Sequence, residues 1–439
     1  MFRNGIVLKD RFYINGPVLI LFAVLIFISA CKKTNSYVKP GLSSEQQSQV
    51  VVNYANILEA GYQDSYNLAL ILQTKINAFI ANPTAQGLAD AKAAWLASRE
   101  PYSQTEMGRF YGGPIDGDSG DILLNSWPVD EGYIDYLSGD SHGYTAYAAP
   151  DFTTGVVNMP SQFPTIDETV LITNNQPDGG TTNFSGNNVE VSAGYHAIEF
   201  LLWGQDNTPA VDKIPGQRSF KDYLTTSQAT APNGARRAQY LQVVTQLLVD
   251  NLKSMVDAWA PNTNNYRKTF QANSDVAIAS IISGIGRLAK DELAGERMGV
   301  PLALHAQEQE HSCFSDNTHR DLYLDMQGII NVYYGKYTRT DGSIISGAGL
   351  SDYVKAISAA DDTNMKTLLS AGQTSLQNIE TNKPFDWLID KSNPTGNQIV
   401  QTGVNAAAAV ADWISQIMQD IKRNNVYVPN IPTSGGDGD

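Results

Sequence analysis

The sequence predicts an all-α protein built as two bundle-like helical domains, and three observations carry that reading. Leu241, Val244, Leu248, Leu252, Met255 and Trp259 recur at three- and four-residue steps and so share one helix face. Val404, Ala407, Ala411, Ile414, Met418 and Ile421 repeat the pattern near the C-terminus, with small alanines that let a neighbouring helix approach closely. Alternating apolar and polar runs, the mark of a half-buried strand, are scarce throughout.

The elements follow in chain order. Residues 1–30 form a signal peptide: Arg3, Lys9 and Arg11 precede eleven unbroken apolar residues, Val18 to Ile28. That run is too short for a stable bilayer span and suits a signal-peptide core. It ends in Ile28-Ser29-Ala30-Cys31, which resembles a bacterial lipobox, so Cys31 is the expected lipidation site. Lys32 and Lys33 follow, with no Asp of the kind that retains lipoproteins at the inner membrane. The expected location is therefore lipid-anchored at the outer membrane, facing the periplasm or the cell exterior. Residues 31–44 are polar with Pro and Gly and form a tether. Helices are expected near 45–61, 64–81, 84–110, 190–203, 274–298, 319–335, 350–359 and 362–381, besides the two periodic runs. Gly299 and Pro301 are expected to stop the helix after Met298. Gly, Pro, Asp, Asn and Ser crowd 112–188, which reads as a long loop region with little regular structure, a length that often marks function. The halves are expected at 45–205 and 206–425, followed by a flexible tail at 426–439.

Composition narrows the function classes. The 439 residues carry 30 Lys+Arg against 45 Asp+Glu, a formal charge of −15. No nucleic-acid partner is expected, because phosphate binding needs a basic face; cations are the natural partners. Two cysteines exclude a disulfide scaffold, and with Cys31 lipidated Cys313 is read as a buried structural thiol.

Four groupings could carry chemistry. His196 and Glu199 lie three apart in a helix-like run, so they share a face. They would either ligate one metal ion or simply hydrogen-bond across one turn. Residues 305–321 hold His305, Glu308, Glu310, His311, Asp316, His319 and Asp321, a set suited to Zn, Fe or Mn. Its other reading is a polar loop in which Ser315 or Asp316 caps the next helix. Asp116, Asp118 and Asp121, followed by Asp130, Glu131 and Asp135, hint at a calcium loop, but the glycine and the bidentate glutamate of an EF-hand are missing, so these read as turn aspartates. Arg99 and Glu106 are seven apart and would share a helix face if Pro101 does not break it. His-Glu-x-x-His and Gly-x-x-x-x-Gly-Lys are absent.

Taken together, four ordered blocks resemble the imelysin family, also called peptidase family M75, and within it the iron-regulated protein A branch. They are Trp95 to Tyr102; Asn125 to Asp130 with Ile134-Asp135; Gly194-Tyr195-His196-Ala197-Ile198-Glu199-Phe200-Leu201-Leu202-Trp203-Gly204, which matches a Gly-x-His-x-x-Glu signature; and Gly295 to Met298 with Glu310 to Asp321. The resemblance spans about 45–425. It implies two helical bundles with a site between them, and a surface or periplasmic lipoprotein linked to iron uptake.

Two functions follow as expectations. In the first, His196 and Glu199 bind a divalent or ferric ion, iron foremost, or a metal-containing ligand. Asp130, Asp316, His311 and His319 are the candidate further ligands, and an uptake-system protein is a possible partner. In the second, the same pair holds Zn as an HxxE metallopeptidase, with Arg99, Glu106 and Glu310 as candidate catalytic groups. A blander reading is a surface interaction module without a working metal site.

Overall fold

The computed structural model describes residues 42–117, 120–139, 147–175 and 191–423. The leader, Cys31, most of the tether, the tail and part of the 112–188 region lie outside the described residues.

Helix α1 runs Ser44–Ala81 as one rod, where two helices were expected. A lone glycine, Gly61, carries no helix-breaking ring and sits buried against Thr105, so the rod passes through it. Ser43 and Gln46 close its start as a capping box. Helix α2 (Ala85–Ser103) ends seven residues before the expected 110 and passes into a single 3-10 turn, Glu106–Gly108. Helix α3 is Gly194–Trp203 and α4 is Gly234–Trp259. These four helices pack on one another, α1 on α2 and α4, and α3 on α2 and α4. The first bundle thus takes its fourth helix from beyond residue 206.

The second bundle begins with α5 (Ser274–Arg287), which continues without interruption as a π-helix, Leu288–Gly299, and then an α-helical turn, Val300–Leu304. The expected stop at Gly299 and Pro301 is therefore displaced. Pro301 lies where the π-helix passes into the α-helical turn. The chain stops instead at His305, in the left-handed conformation. Helices α6 (Thr318–Tyr334), α7 (Ala359–Thr381) and α8 (Pro394–Arg423) complete the bundle. α8 packs along the π-helix, α5 and α7, and α6 lies on α7 and touches α2 of the first bundle. The described residues cluster as one unit.

Helix accounts for 69% and strand for 4% of the structure, which settles the all-α class. Among the described residues the strands are two short antiparallel hairpins, Leu137–Gly139 with Tyr147–Asp151 and Lys336–Thr338 with Ile344–Ser346. The described parts of 112–188 hold short helical turns such as Asp121–Leu124 and Glu131–Ile134. Among the described residues no helix is long and apolar enough to cross a membrane.

Candidate functional site: a buried histidine pair beside two carboxylate networks

Gly194 opens α3 at φ +82°, where a Cβ would stand 2.6 Å from the Leu124 carbonyl oxygen. Only glycine tolerates both the conformation and the contact, and this seats the helix against residues 124–125. Trp95 Nε1 donates to the Tyr195 carbonyl at 2.9 Å, which locks α2 to α3. On the buried α3, His196 Nδ1 and Glu199 Oε2 lie 2.9 Å apart. The other Glu199 oxygen accepts from the Ser315 backbone N–H at 2.8 Å and the Ser315 hydroxyl at 2.6 Å. The expected cap at Ser315 is thus not made; its hydroxyl serves Glu199, and Asn317 occupies the cap position without a side-chain bond.

Glu199 therefore accepts hydrogen bonds on one oxygen from Ser315 and meets His196 with the other. Burial pushes the Glu199 carboxyl up to about 8. The His196 ring meets His311 edge-on, with centroids 4.5 Å apart, and Trp127 at 5.4 Å. His311 Nε2 lies 3.4 Å from Asn125 Nδ2. Burial, with Arg297, His196, Arg99 and Arg109 nearby, holds the His311 ring neutral, well below the usual imidazole range. Two imidazoles 115 positions apart in sequence are thus brought together, and His311, a secondary candidate, becomes the principal neighbour of His196.

Around this pair lies a dense set of guanidinium–carboxylate contacts. Arg99 reaches Asp321 at 3.2 Å and also donates to Asn125 Oδ1. Arg109 reaches Glu106 at 3.2 Å and Asp121 at 2.8 Å. Arg297 reaches Glu106 at 2.8 Å, Glu292 at 3.2 Å and Asp325 at 2.9 Å. Glu292 and Arg297 are five apart, which in an α-helix would point them to different sides; the wider π turn places them together. Arg99 and Glu106 do not pair on a helix face as expected, because α2 ends at Ser103 between them; Asn125 links them instead, accepting from Arg99 and donating to Glu106 at 2.8 Å. Asp325 differs from the others here: burial outweighs Arg297 and raises its carboxyl well above the usual range.

A second acidic group sits beyond Ser315. Asp206, Asp316 and Asp386 each offer an oxygen within 4.8 Å of the others, and all three are buried. Glu310 feels all three through space. Asp316 is thereby placed with Asp206, Asp386 and Glu310, and Ser315 links this group to Glu199. His319 is buried in the first turn of α6, and burial lowers its ring to about 4. Asp130 caps the turn Glu131–Ile134 through Tyr133 N–H at 3.0 Å. Asp116 accepts four backbone N–H groups, from Phe110, Tyr111, Gly112 and Gly113, at 2.8–3.1 Å, in keeping with a turn aspartate. His305 points elsewhere, to the Ile389 carbonyl at 2.6 Å. Cys313 is buried and free, and burial drives its thiol up.

Sequence reasoning missed Asp206 and Asp386, which no local spacing connects to Asp316. It also missed Asn125 as a site residue, although Asn125 lies in a block that carried the resemblance.

This architecture, two helical bundles with a Gly-x-His-x-x-Glu helix buried beside their contact, is that of a defined class. The imelysin family model matches residues 58–413, and the chain belongs to that family. A relative, iron-regulated protein A of Synechococcus elongatus, is 23% identical over 412 residues, covering 90% of this chain and 89% of that one. A crystal structure from Parabacteroides distasonis, carrying the name iron-regulated protein A precursor, superimposes with a TM-score of 0.62 at 17% identity, over 87% of this chain and 96% of that chain. At that identity it supports the fold alone.

Proposed function

We propose that this protein is a metal-capture protein with iron as its cargo, bound at His196 and His311. Carried on a lipid at Cys31, it would work at the outer membrane, in the periplasm or on the cell surface, and hand its ion to an uptake-system protein. The observation that carries the reading is the buried meeting of two imidazoles from distant segments, His196 held by Glu199. A neutral imidazole whose other nitrogen is held by a carboxylate is the usual arrangement of a metal-ligating histidine. Nitrogen and oxygen donors together suit iron. The relative's name, iron-regulated protein A, points the same way.

The site favours capture over peptide hydrolysis. Peptide cleavage needs an open cleft and a carboxylate free to act as base. Here Glu106 is held by Arg109, Arg297 and Asn125, and Glu106, Glu199 and Glu310 are all buried away from any peptide.

The test is titration of chelator-stripped protein with Fe, Mn, Zn and Cu, beside an assay on an unfolded protein substrate with and without chelator. Wild type should take up iron without cleaving the substrate. His196→Ala and His311→Ala should each weaken uptake more than ~10-fold. Iron affinity unchanged in both variants would sink the assignment, and so would chelator-sensitive cleavage lost in His196→Ala.

A further inference from the structure

We propose that Asp206, Asp316 and Asp386, with Glu310 beside them, form a second cation site, built for a hard divalent ion of the Ca2+ or Mn2+ class and distinct from the His196–His311 pair. The three aspartates come from three separate segments: the loop after α3, the turn before α6, and the short helix Phe385–Ile389 after α7. Their ligand oxygens lie within 4.8 Å of one another. Oxygens bound to one Ca2+ at about 2.4 Å can be at most about 4.8 Å apart, so the trio fits the coordination sphere of a single ion.

Closeness alone would not make a site. The independent observation is that the cluster keeps buried acceptor atoms without donors. Asp386 is 2% exposed and Asp316 is 7% exposed, yet Oδ1 of each has no hydrogen-bond partner. A buried oxygen left in this way is costly, and native structures satisfy such atoms. Part of the cluster is already anchored: Asp206 accepts from the Thr208 backbone at 3.0 Å and hydroxyl at 2.8 Å, and from Gln307. That holds one member of the cluster still.

The electrostatics agree with the geometry. Burial, reinforced by Asp386, Asp206 and Glu199, pushes Asp316 up to about 9. Burial pushes Asp386 up to about 7 against a backbone hydrogen bond from Trp387, with Asp206 and Asp390 adding to the rise and Lys213 opposing it. Glu310 is raised well above the usual range by burial and the same aspartates. Like charges crowded in low dielectric must take up either protons or a cation. An all-oxygen donor set selects hard ions over zinc or copper. Once bound, the ion would tie the three segments together and support the Ser315 turn that holds Glu199.

The experiment uses the full chain, stripped with chelator and then titrated with Ca2+, Mn2+ or Zn2+ while heat binding and thermal unfolding are followed. The expected result is saturable binding of Ca2+ or Mn2+ with a rise in Tm, and weaker binding of Zn2+. Asp386→Asn keeps the shape of the side chain but removes one charge. It should raise the Tm of the ion-free protein by easing repulsion, and weaken ion binding more than ~10-fold. His196→Ala should leave the Ca2+ or Mn2+ response intact, so failure of the histidine site and failure of this one read out separately. No binding of either ion by wild type would overturn the proposal, as would binding undiminished in both Asp386→Asn and Asp206→Asn. A preference for Zn2+ would overturn the assigned ion class.

Discussion

Two buried charged regions flank the His196 helix, and they solve the same electrostatic problem in opposite ways. In the region of Arg99, Arg109 and Arg297, every carboxylate touches at least one guanidinium. In the region of Asp206, Asp316, Asp386 and Glu310, the charges acting on Asp316 and Glu310 are themselves carboxylates. The first region carries its counter-charge in its own covalent structure. The second leaves it to be supplied by protons or an ion. A buried acid is therefore informative about function mainly through what compensates it: with arginine it reads as architecture, and without arginine as a place to bind.

The sharpest way to break this comparison is to remove an arginine. Arg297→Met should leave Asp325 without a guanidinium and leave Glu106 and Glu292 with Arg109 alone, and cost about 3–5 kcal/mol in urea unfolding. A change below about 1 kcal/mol would mean that these acids are protonated and that the two regions are alike.

A third charged group extends the rule away from the site. Asp135 is buried between Arg218, at 2.7 Å, and Arg237, at 2.5 Å. Burial alone would raise its carboxyl, but Arg237 and Arg218 outweigh that and hold it at about 2. A carboxyl depressed in the folded state contributes stability that is present above its unfolded value, near 4, and is lost as pH falls through its folded value. Asp135→Asn should accordingly cost on the order of 2 kcal/mol near neutral pH, with the gap to wild type closing between about pH 4 and pH 2. A gap that stayed constant across that window would contradict the assigned compensation. At the small end, Lys253→Ala removes a salt bridge whose partners are 47% and 62% exposed, and the denaturation midpoint should not move. A measurable shift there would undo the contrast between buried and solvated pairs.

Much of the fold was legible because helices announce themselves locally. The steps Leu241 to Trp259 and Val404 to Ile421 fall within α4 and α8. Boundaries were less legible where one feature overrode another: Gly61 did not divide α1, and the π-helix carried the chain past Gly299 to His305. In the candidate site, His196 and Glu199 could be singled out from one helical turn. Their surroundings could not, since three-residue spacing says nothing of the Ser315 turn that meets the other Glu199 oxygen.

What the sequence determined by itself was the helical class, the His–Glu turn and the order of blocks shared with the imelysin family, because periodicity and motif spacing are properties of neighbouring residues. What only tertiary structure decided was which acids meet arginines and which meet one another. Asp206 and Asp386 stand 180 residues apart, and no local rule relates them. They come together because the bundles fold their connecting segments onto one spot, and that placement turns scattered carboxylates into a concentrated buried charge.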